Sequence, residues 1–264
     1  MQTAHLVKIS VLMAMALSHS IHADSRIPSD IPRDEIWTAN APVHAISCTP
    51  DTVFLGGEFD YVGPNTGALT QLDMESGQIS KKLPYIEGKI LVCVPDGSGG
   101  WYVGGELYNI EGVAHILSDG TLDHSWNPRM RGVVQAIAVG NSTIYVGGML
   151  HALEDYTQNF LLEIDIDTGE ITDWHPALDG PVYALTISDS TLYVGGEFST
   201  FLGQPRSRLA AIDLANNSLT EWAPAIDNES YNYISAIQVV GSNVYIGGRF
   251  RQIAGEYHSQ LSVV

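Results

Sequence analysis

The sequence predicts an all-β protein, a five-bladed β-propeller of four-stranded blades, from three observations. A strand ending in Gly-Gly occurs five times, as Phe54-Leu55-Gly56-Gly57, Tyr102-Val103-Gly104-Gly105, Tyr145-Val146-Gly147-Gly148, Tyr193-Val194-Gly195-Gly196 and Tyr245-Ile246-Gly247-Gly248. Its first glycines are separated by 48, 43, 48 and 52 residues, a spacing that accommodates one four-stranded unit per repeat. Each copy is preceded by a short apolar strand and followed by a strand ending in Asp or a polar turn, so the whole unit recurs and not the diglycine alone.

The chain opens on a segment with the features of an export signal. Lys8 supplies the positive charge, and Ile9 to Leu17 form an apolar run too short to span a bilayer. Cleavage after Ala23 is expected, with Ser20 as the alternative, which makes 1–23 a signal peptide and 24–32 a flexible polar lead. The propeller then covers 33–264, and the expected location is secreted or periplasmic.

In each repeat the first strand is short and apolar. Val43-His44-Ala45-Ile46, Ile90-Leu91-Val92-Cys93, Val134-Gln135-Ala136-Ile137, Val182-Tyr183-Ala184-Leu185 and Ile234-Ser235-Ala236-Ile237 align. Alanine at the third place suits the crowding near a propeller axis. Polar turns such as Gly140-Asn141-Ser142 and Ser188-Asp189-Ser190 lead into the Gly-Gly strand. The third strand ends in Asp73, Asp165 or Asp213, and the fourth closes on Trp126, Trp174 or Trp222, with Leu83 in the first repeat. Blades are therefore expected at about 43–83, 90–126, 133–174, 181–222 and 233–264. The last repeat lacks a fourth strand of its own. Asp34-Glu35-Ile36-Trp37 matches that strand's pattern, so the N-terminal strand is expected to complete the last blade and close the ring, leaving no open sheet edge.

Residues 181–224 carry a fuller pattern: Val182, Ala184, Leu185, Leu192 to Phe198, Leu202-Gly203, Arg208-Leu209-Ala210, Ile212-Asp213, Trp222 and Pro224. This resembles the delta-60 repeat family of bacterial exported β-propeller repeats, and the likeness extends over about 33–264. The sequence departs from it at His115, where Leu is usual, and at Met149-Leu150. The resemblance implies a propeller in an exported protein and carries no catalytic residues to transfer.

Charge bounds the partners. With 12 Lys+Arg against 30 Asp+Glu, the formal net charge is −18, which repels nucleic acid and anionic membranes and favours solubility, cationic partners or divalent metals. No run is long enough for a membrane helix. The two cysteines, Cys48 and Cys93, would permit a disulfide in an exported protein, but Cys93 aligns with Ile46, two places away from Cys48.

Enzyme signatures such as G-x-S-x-G, H-E-x-x-H and a phosphate loop are absent from the sequence. The residue after each diglycine is Glu58, Glu106, Met149, Glu197 or Arg249. In a closed propeller these form a ring at one axial mouth, where the connections from second to third strand and from one blade to the next also lie. Glu58, Glu106, Glu197 and Arg249 are therefore ligand-binding candidates. Asp227 and Tyr231 join them from the widest connection on that face, Ala225 to Tyr233. Arg129, Arg131, Glu154-Asp155-Tyr156, Tyr61 and Tyr257 lie in neighbouring connections. Asp165-Ile166-Asp167-Thr168-Gly169 alternates oxygen ligands as a calcium loop does, yet Asp at that place also caps a turn, and no metal or cofactor is expected. The functional expectation is a non-enzymatic binding module for a protein, peptide or carbohydrate. The alternative is a carbohydrate-active hydrolase or lyase using two carboxylates across the mouth, Glu58 with Glu197 or Glu106.

Overall fold

The computed structural model describes residues 39–49, 52–59, 68–81, 83–152, 158–174, 176–227, 231–258 and 260–264, all within one unit, Ile36–Val264. The described chain is all-β. The strand expected from Ile36-Trp37 lies outside the described residues.

Among the described residues, five antiparallel sheets of three or four strands follow one another along the chain. The first holds β1 (Val43–Cys48), β2 (Thr52–Gly57), β3 (Leu69–Asp73) and β4 (Ile79–Lys81); the second holds β5 (Gly88–Pro95), β6 (Trp101–Leu107) and β7 (Val113–Ile116). The third holds β8 (Met130–Val139), β9 (Thr143–Ala152) and β10 (Gln158–Asp165). The fourth is β11 (Val182–Ser188), β12 (Thr191–Gly196), β15 (Leu209–Asp213) and β16 (Ser218–Leu219), interrupted by a small hairpin of β13 (Thr200–Phe201) and β14 (Gln204–Pro205). The fifth is β17 (Tyr233–Val240), β18 (Asn243–Arg249) and β21 (Leu261–Val263), with a matching hairpin of β19 (Gln252–Ile253) and β20 (Glu256–Tyr257). In the second and third sheets the fourth strand is reduced to single bridges, Ile116 to Leu122 and Ile164 to Ile171.

These are sheets of the propeller-blade kind, and their cores lie between neighbours. Among the described residues, four buried clusters each join two consecutive blades. The first sets Phe54, Leu69 and Ile86 against Ile90, Trp101 and Val103; the last sets Leu209 and Ala184 against Ile234, Ile237 and Ile246. Further out, the Gly-Gly strand's tyrosine packs on the fourth-strand tryptophan: ring centroids lie 5.1 Å apart for Tyr102–Trp126, 5.7 Å for Tyr145–Trp174 and 5.1 Å for Tyr193–Trp222.

The diglycine has two separate causes. At the first glycine a Cβ would run into the next blade's inner strand: into Ile90 from Gly56, Val134 from Gly104, Val182 from Gly147 and Ile234 from Gly195. The missing side chain is thus a hole for a β-branched knob. At the second glycine a Cβ would strike a backbone carbonyl of the blade's own inner strand, that of Pro42, Lys89, Val133, Pro181 or Tyr233. The close approach occurs where each inner pair carries a register shift, as between Val182 and Ala184.

The knobs Ile90, Val134, Val182 and Ile234 are all fully buried. Val43, which holds the same register position in the first blade, is 39% exposed, and Ile46 behind it is 55% exposed. At Gly247 an added Cβ would meet little besides the blade's own Ala236. Inner strands pack as β1 on β5, β5 on β8, β8 on β11 and β11 on β17; among the described residues no core cluster joins the fifth blade to the first.

Cys48 is exposed and Cys93 buried, and neither is disulfide-bonded. Burial pushes the Cys93 thiol up to about 12, so it stays protonated and inert.

Candidate functional site

The residue after each diglycine lies at or within three residues of the end of the Gly-Gly strand, and the backbone fixes it there. Glu58 donates its N–H to the Pro42 carbonyl at 2.9 Å, and Glu197 does the same to Pro181 at 2.9 Å. In the other blades the ladder itself sets Glu106 opposite Lys89, Met149 opposite Val133 and Arg249 opposite Tyr233.

The candidates fall into two constellations. In blades one and two, His44 Nε2 lies 2.8 Å from Glu58 Oε1, and Lys89 Nζ stands 3.7 Å from Glu58 and 3.9 Å from Glu106. The hydrogen bond from His44 holds the Glu58 carboxyl below its ordinary value, against a smaller effect of desolvation and with help from Lys89. In blades four and five, the Tyr183 hydroxyl donates to Glu197 Oε2 at 3.0 Å, Tyr183 meets the edge of Tyr233 at 5.9 Å, and the Arg249 guanidinium lies 5.7 Å from the centre of the Tyr231 ring. Glu58, Glu106 and Glu197 therefore all have partners. His44, Lys89, Tyr183 and Tyr233 are the members that sequence reasoning missed. Each sits at an inner-strand place whose residue changes from blade to blade, which was the available signal.

Asp227 is held by backbone. Its carboxylate accepts the N–H groups of Arg251 at 3.2 Å and Gln252 at 3.1 Å, and Asp179 accepts those of Ser199 and Thr200, both at 2.8 Å. Both aspartates clamp the hairpin that follows the diglycine strand. Burial raises the Asp227 carboxyl, and these hydrogen bonds outweigh it, leaving it below the ordinary value. Arg131 pairs loosely with Glu111 at 3.9 Å. Tyr257 is 83% exposed. Tyr61 and Glu154-Asp155-Tyr156 lie outside the described residues.

Beside the first constellation is a cavity of about 320 Å³. Phe59, Ala68 and Ile86 line it and are buried, while Tyr85 and Tyr108 line it and are exposed. Glu58, Glu87 and Lys89 also line it. Asn109 fixes one wall, donating from Nδ2 to the Tyr85 carbonyl at 3.0 Å and accepting the Glu87 N–H at 2.9 Å. Among the described residues no group of His, Cys, Asp and Glu is arranged to hold a metal ion. Asp165 spends its carboxylate on the N–H groups of Asp167 and Thr168, at 3.1 and 2.8 Å.

No protein-family model matches the chain, and no curated protein sequence matches it. Solved structures do. The extracellular domain of a hybrid two-component system from B. thetaiotaomicron matches with a TM-score of 0.51 at 15% identity, over 84% of this chain and 27% of that one. The computationally designed Ika8 protein gives 0.48 at 13%, over 83% and 76%, and the Neurospora crassa Pan2 WD40 domain gives 0.49 at 12%, over 77% and 59%. The chain thus spans about a quarter of the length of the first of these, and likeness at such identity speaks to fold alone. This is an all-β chain of propeller type. Among its described residues no helix is long and apolar enough to cross a membrane.

Proposed function

We propose that the chain is an exported five-bladed propeller, a delta-60-type repeat protein, that acts as a non-catalytic interaction module through the face carrying the residues after the diglycines. The observation that carries this reading is the set of exposed tyrosines in connections of that face. Tyr85 is 57% exposed, Tyr108 63%, Tyr231 71% and Tyr257 83%. Exposed tyrosine is the composition of a contact surface, giving large area at little entropic cost. The three glutamates are engaged by His44, Lys89 and Tyr183, an arrangement that suits a fixed polar rim better than a carboxylate pair poised for hydrolysis.

Ring closure belongs to the same proposal. Val43 and Ile46 are bare knobs and Gly247 an empty hole, while the same parts are mated at the other four junctions. Docking the first blade on the fifth supplies the missing junction, and the N-terminal strand 33–37 completes the last blade.

The test is a photo-cross-linker placed in turn at Tyr231 and Tyr257, and at Asn141 and Asp189 on the opposite face, with the whole chain incubated with proteins of the cell exterior. Adducts confined to Tyr231 and Tyr257 are expected. Adducts confined to Asn141 and Asp189, or glycan hydrolysis abolished by Glu58→Gln, would overturn the reading. Export has its own check, since N-terminal sequencing of the mature protein should begin at Asp24.

A further inference from the structure

The cavity between the first two blades combines three features. Its floor is apolar and closed: Phe59 and Ile86 are each 1% exposed and Ala68 2%. Its rim carries two exposed aromatic rings, Tyr85 and Tyr108. Its charged lining is Glu58, Glu87 and Lys89, with Glu106 just beyond on the far side of Lys89. Glu58 and Glu106 face the Lys89 ammonium at 3.7 and 3.9 Å, Glu58 is also met by His44 at 2.8 Å, and Glu87 adds a third carboxylate to the site.

We infer that this cleft receives an arginine side chain of a protein partner. The inference rests on the interaction-module reading and names the chemistry of one anchor point on that face. An arginine has the parts the cleft asks for. Its methylene stem covers the apolar floor. Its planar guanidinium stacks on a tyrosine ring while donating in parallel to a carboxylate, which a compact lysine head does less well. The volume suits one long side chain rather than an extended segment. The net charge of −18 draws basic partners toward the molecule. The same face already holds the arrangement internally, with the Arg249 guanidinium 5.7 Å above the Tyr231 ring.

The rim is ready before any ligand arrives. Tyr108 donates its N–H to the Glu87 carbonyl at 2.9 Å, and the Asn109 amide bridges Tyr85 and Glu87 from the other side. These bonds hold the backbone under both tyrosines, so binding need not order it. Asn109 is accordingly a positioning residue, acting through the backbone beneath the two rings.

The experiment titrates the full chain with N-acetyl-arginine amide, and separately with methyl glucoside, following tyrosine side-chain signals by NMR. Saturable arginine binding is expected, with no response to the sugar. Tyr85→Ala, Tyr108→Ala and Glu87→Gln should each weaken it by about twofold to fivefold. Asp189→Asn, on the opposite face, removes one charge as Glu87→Gln does and should leave binding unchanged. Circular dichroism confirms that each variant folds. The inference is overturned if the arginine probe does not bind, if the cleft variants bind it as the wild type does, if Asp189→Asn weakens it equally, or if the sugar binds in its place. Cross-linking at Tyr231 and Tyr257 reports on the face as a whole: adducts there with no arginine binding would sink the cleft alone, and their loss would sink the wider reading.

Discussion

At the scale of single residues, the third-strand place opposite the Gly-Gly strand's aromatic changes from blade to blade. It is Gln71 opposite Phe54, His115 opposite Tyr102, Glu163 opposite Tyr145, Ala211 opposite Tyr193 and Val263 opposite Tyr245. Opposite Ala211, Tyr193 packs on Trp222 and on the core cluster of the last two blades. At His115 and Glu163 a local network satisfies the polar group. The His115 ring nitrogens lie 3.0 Å from Asp123 and 3.2 Å from Asp96, with the ring stacked on Tyr102 at 4.5 Å. Glu163 is 9% exposed and accepts from the Tyr145 hydroxyl at 2.9 Å and the Thr172 hydroxyl at 2.7 Å. A buried hydroxyl left without its acceptor costs about 1–3 kcal/mol. Glu163→Ala should therefore lower the free energy of urea unfolding by that amount, and Glu163→Gln, which keeps an acceptor oxygen, by less. Equal losses in the two variants would show that packing, not the hydrogen bond, holds this place.

At the scale of elements, the repeated aspartates stabilise turns, and the sign of their pH dependence follows. The backbone N–H and hydroxyl of Thr168 hold the Asp165 carboxyl below its ordinary 3.8. The Ser76 hydroxyl and N–H do the same for Asp73, and the Ser125 hydroxyl for Asp123. A carboxyl whose value is lower in the folded state stabilises the fold fully above its unfolded value and loses that contribution as pH falls through the folded one. Thermal midpoints should be flat near neutrality and drop once the pH passes below about 4. Asp123→Asn, removing one such group, should shallow that drop; an unchanged acid limb would refute the assignment.

The strands, the Gly-Gly ends and the tryptophans at the close of the fourth strands were legible in the sequence because each repeats along the chain, whereas the packing of those tryptophans on the Gly-Gly strand's tyrosines shows only in space. Glu58, Glu106 and Glu197 were legible as a set for the same reason. Their partners His44, Lys89 and Tyr183 were not, because each occurs once and comes from a facing strand whose register the sequence does not print. Asp227 reads as an unusual loop acid in sequence, and only comparison with Asp179 in space reveals the shared hairpin clamp. The fourth strands of blades two and three were expected at full length. Each shrinks to one bridge next to a local turn: Asp123 captures the Ser125 N–H at 3.0 Å, and the Trp174 N–H lies 3.2 Å from the Thr172 hydroxyl.

At the scale of the molecule, the question is whether the first blade's bare knobs mate with the fifth blade's empty hole, as the proposed closure requires. Exposing Val43 and Ile46 forgoes apolar burial that the equivalent residues obtain at four other junctions. Covalent linkage keeps the two ends of one chain at high effective concentration, which favours self-closure over pairing between copies. Alanine at the first glycine then serves as a probe of each junction. Gly147→Ala places a methyl group against Val182 and Leu185, and overpacking of this kind costs about 1–3 kcal/mol. In the open arrangement Gly247→Ala meets Ala236 at 3.4 Å and the Gln260 carbonyl at 3.9 Å, both ordinary contact distances, and should be close to neutral. In the closed ring its methyl group must compete with Val43 and should cost about as much as Gly147→Ala. We expect the second result, measured as urea unfolding of both variants at protein concentrations spanning a hundredfold, with no dependence on concentration. A neutral Gly247→Ala would rule out closure through this hole, and a cost that grows with concentration would place the first blade of a second copy there instead.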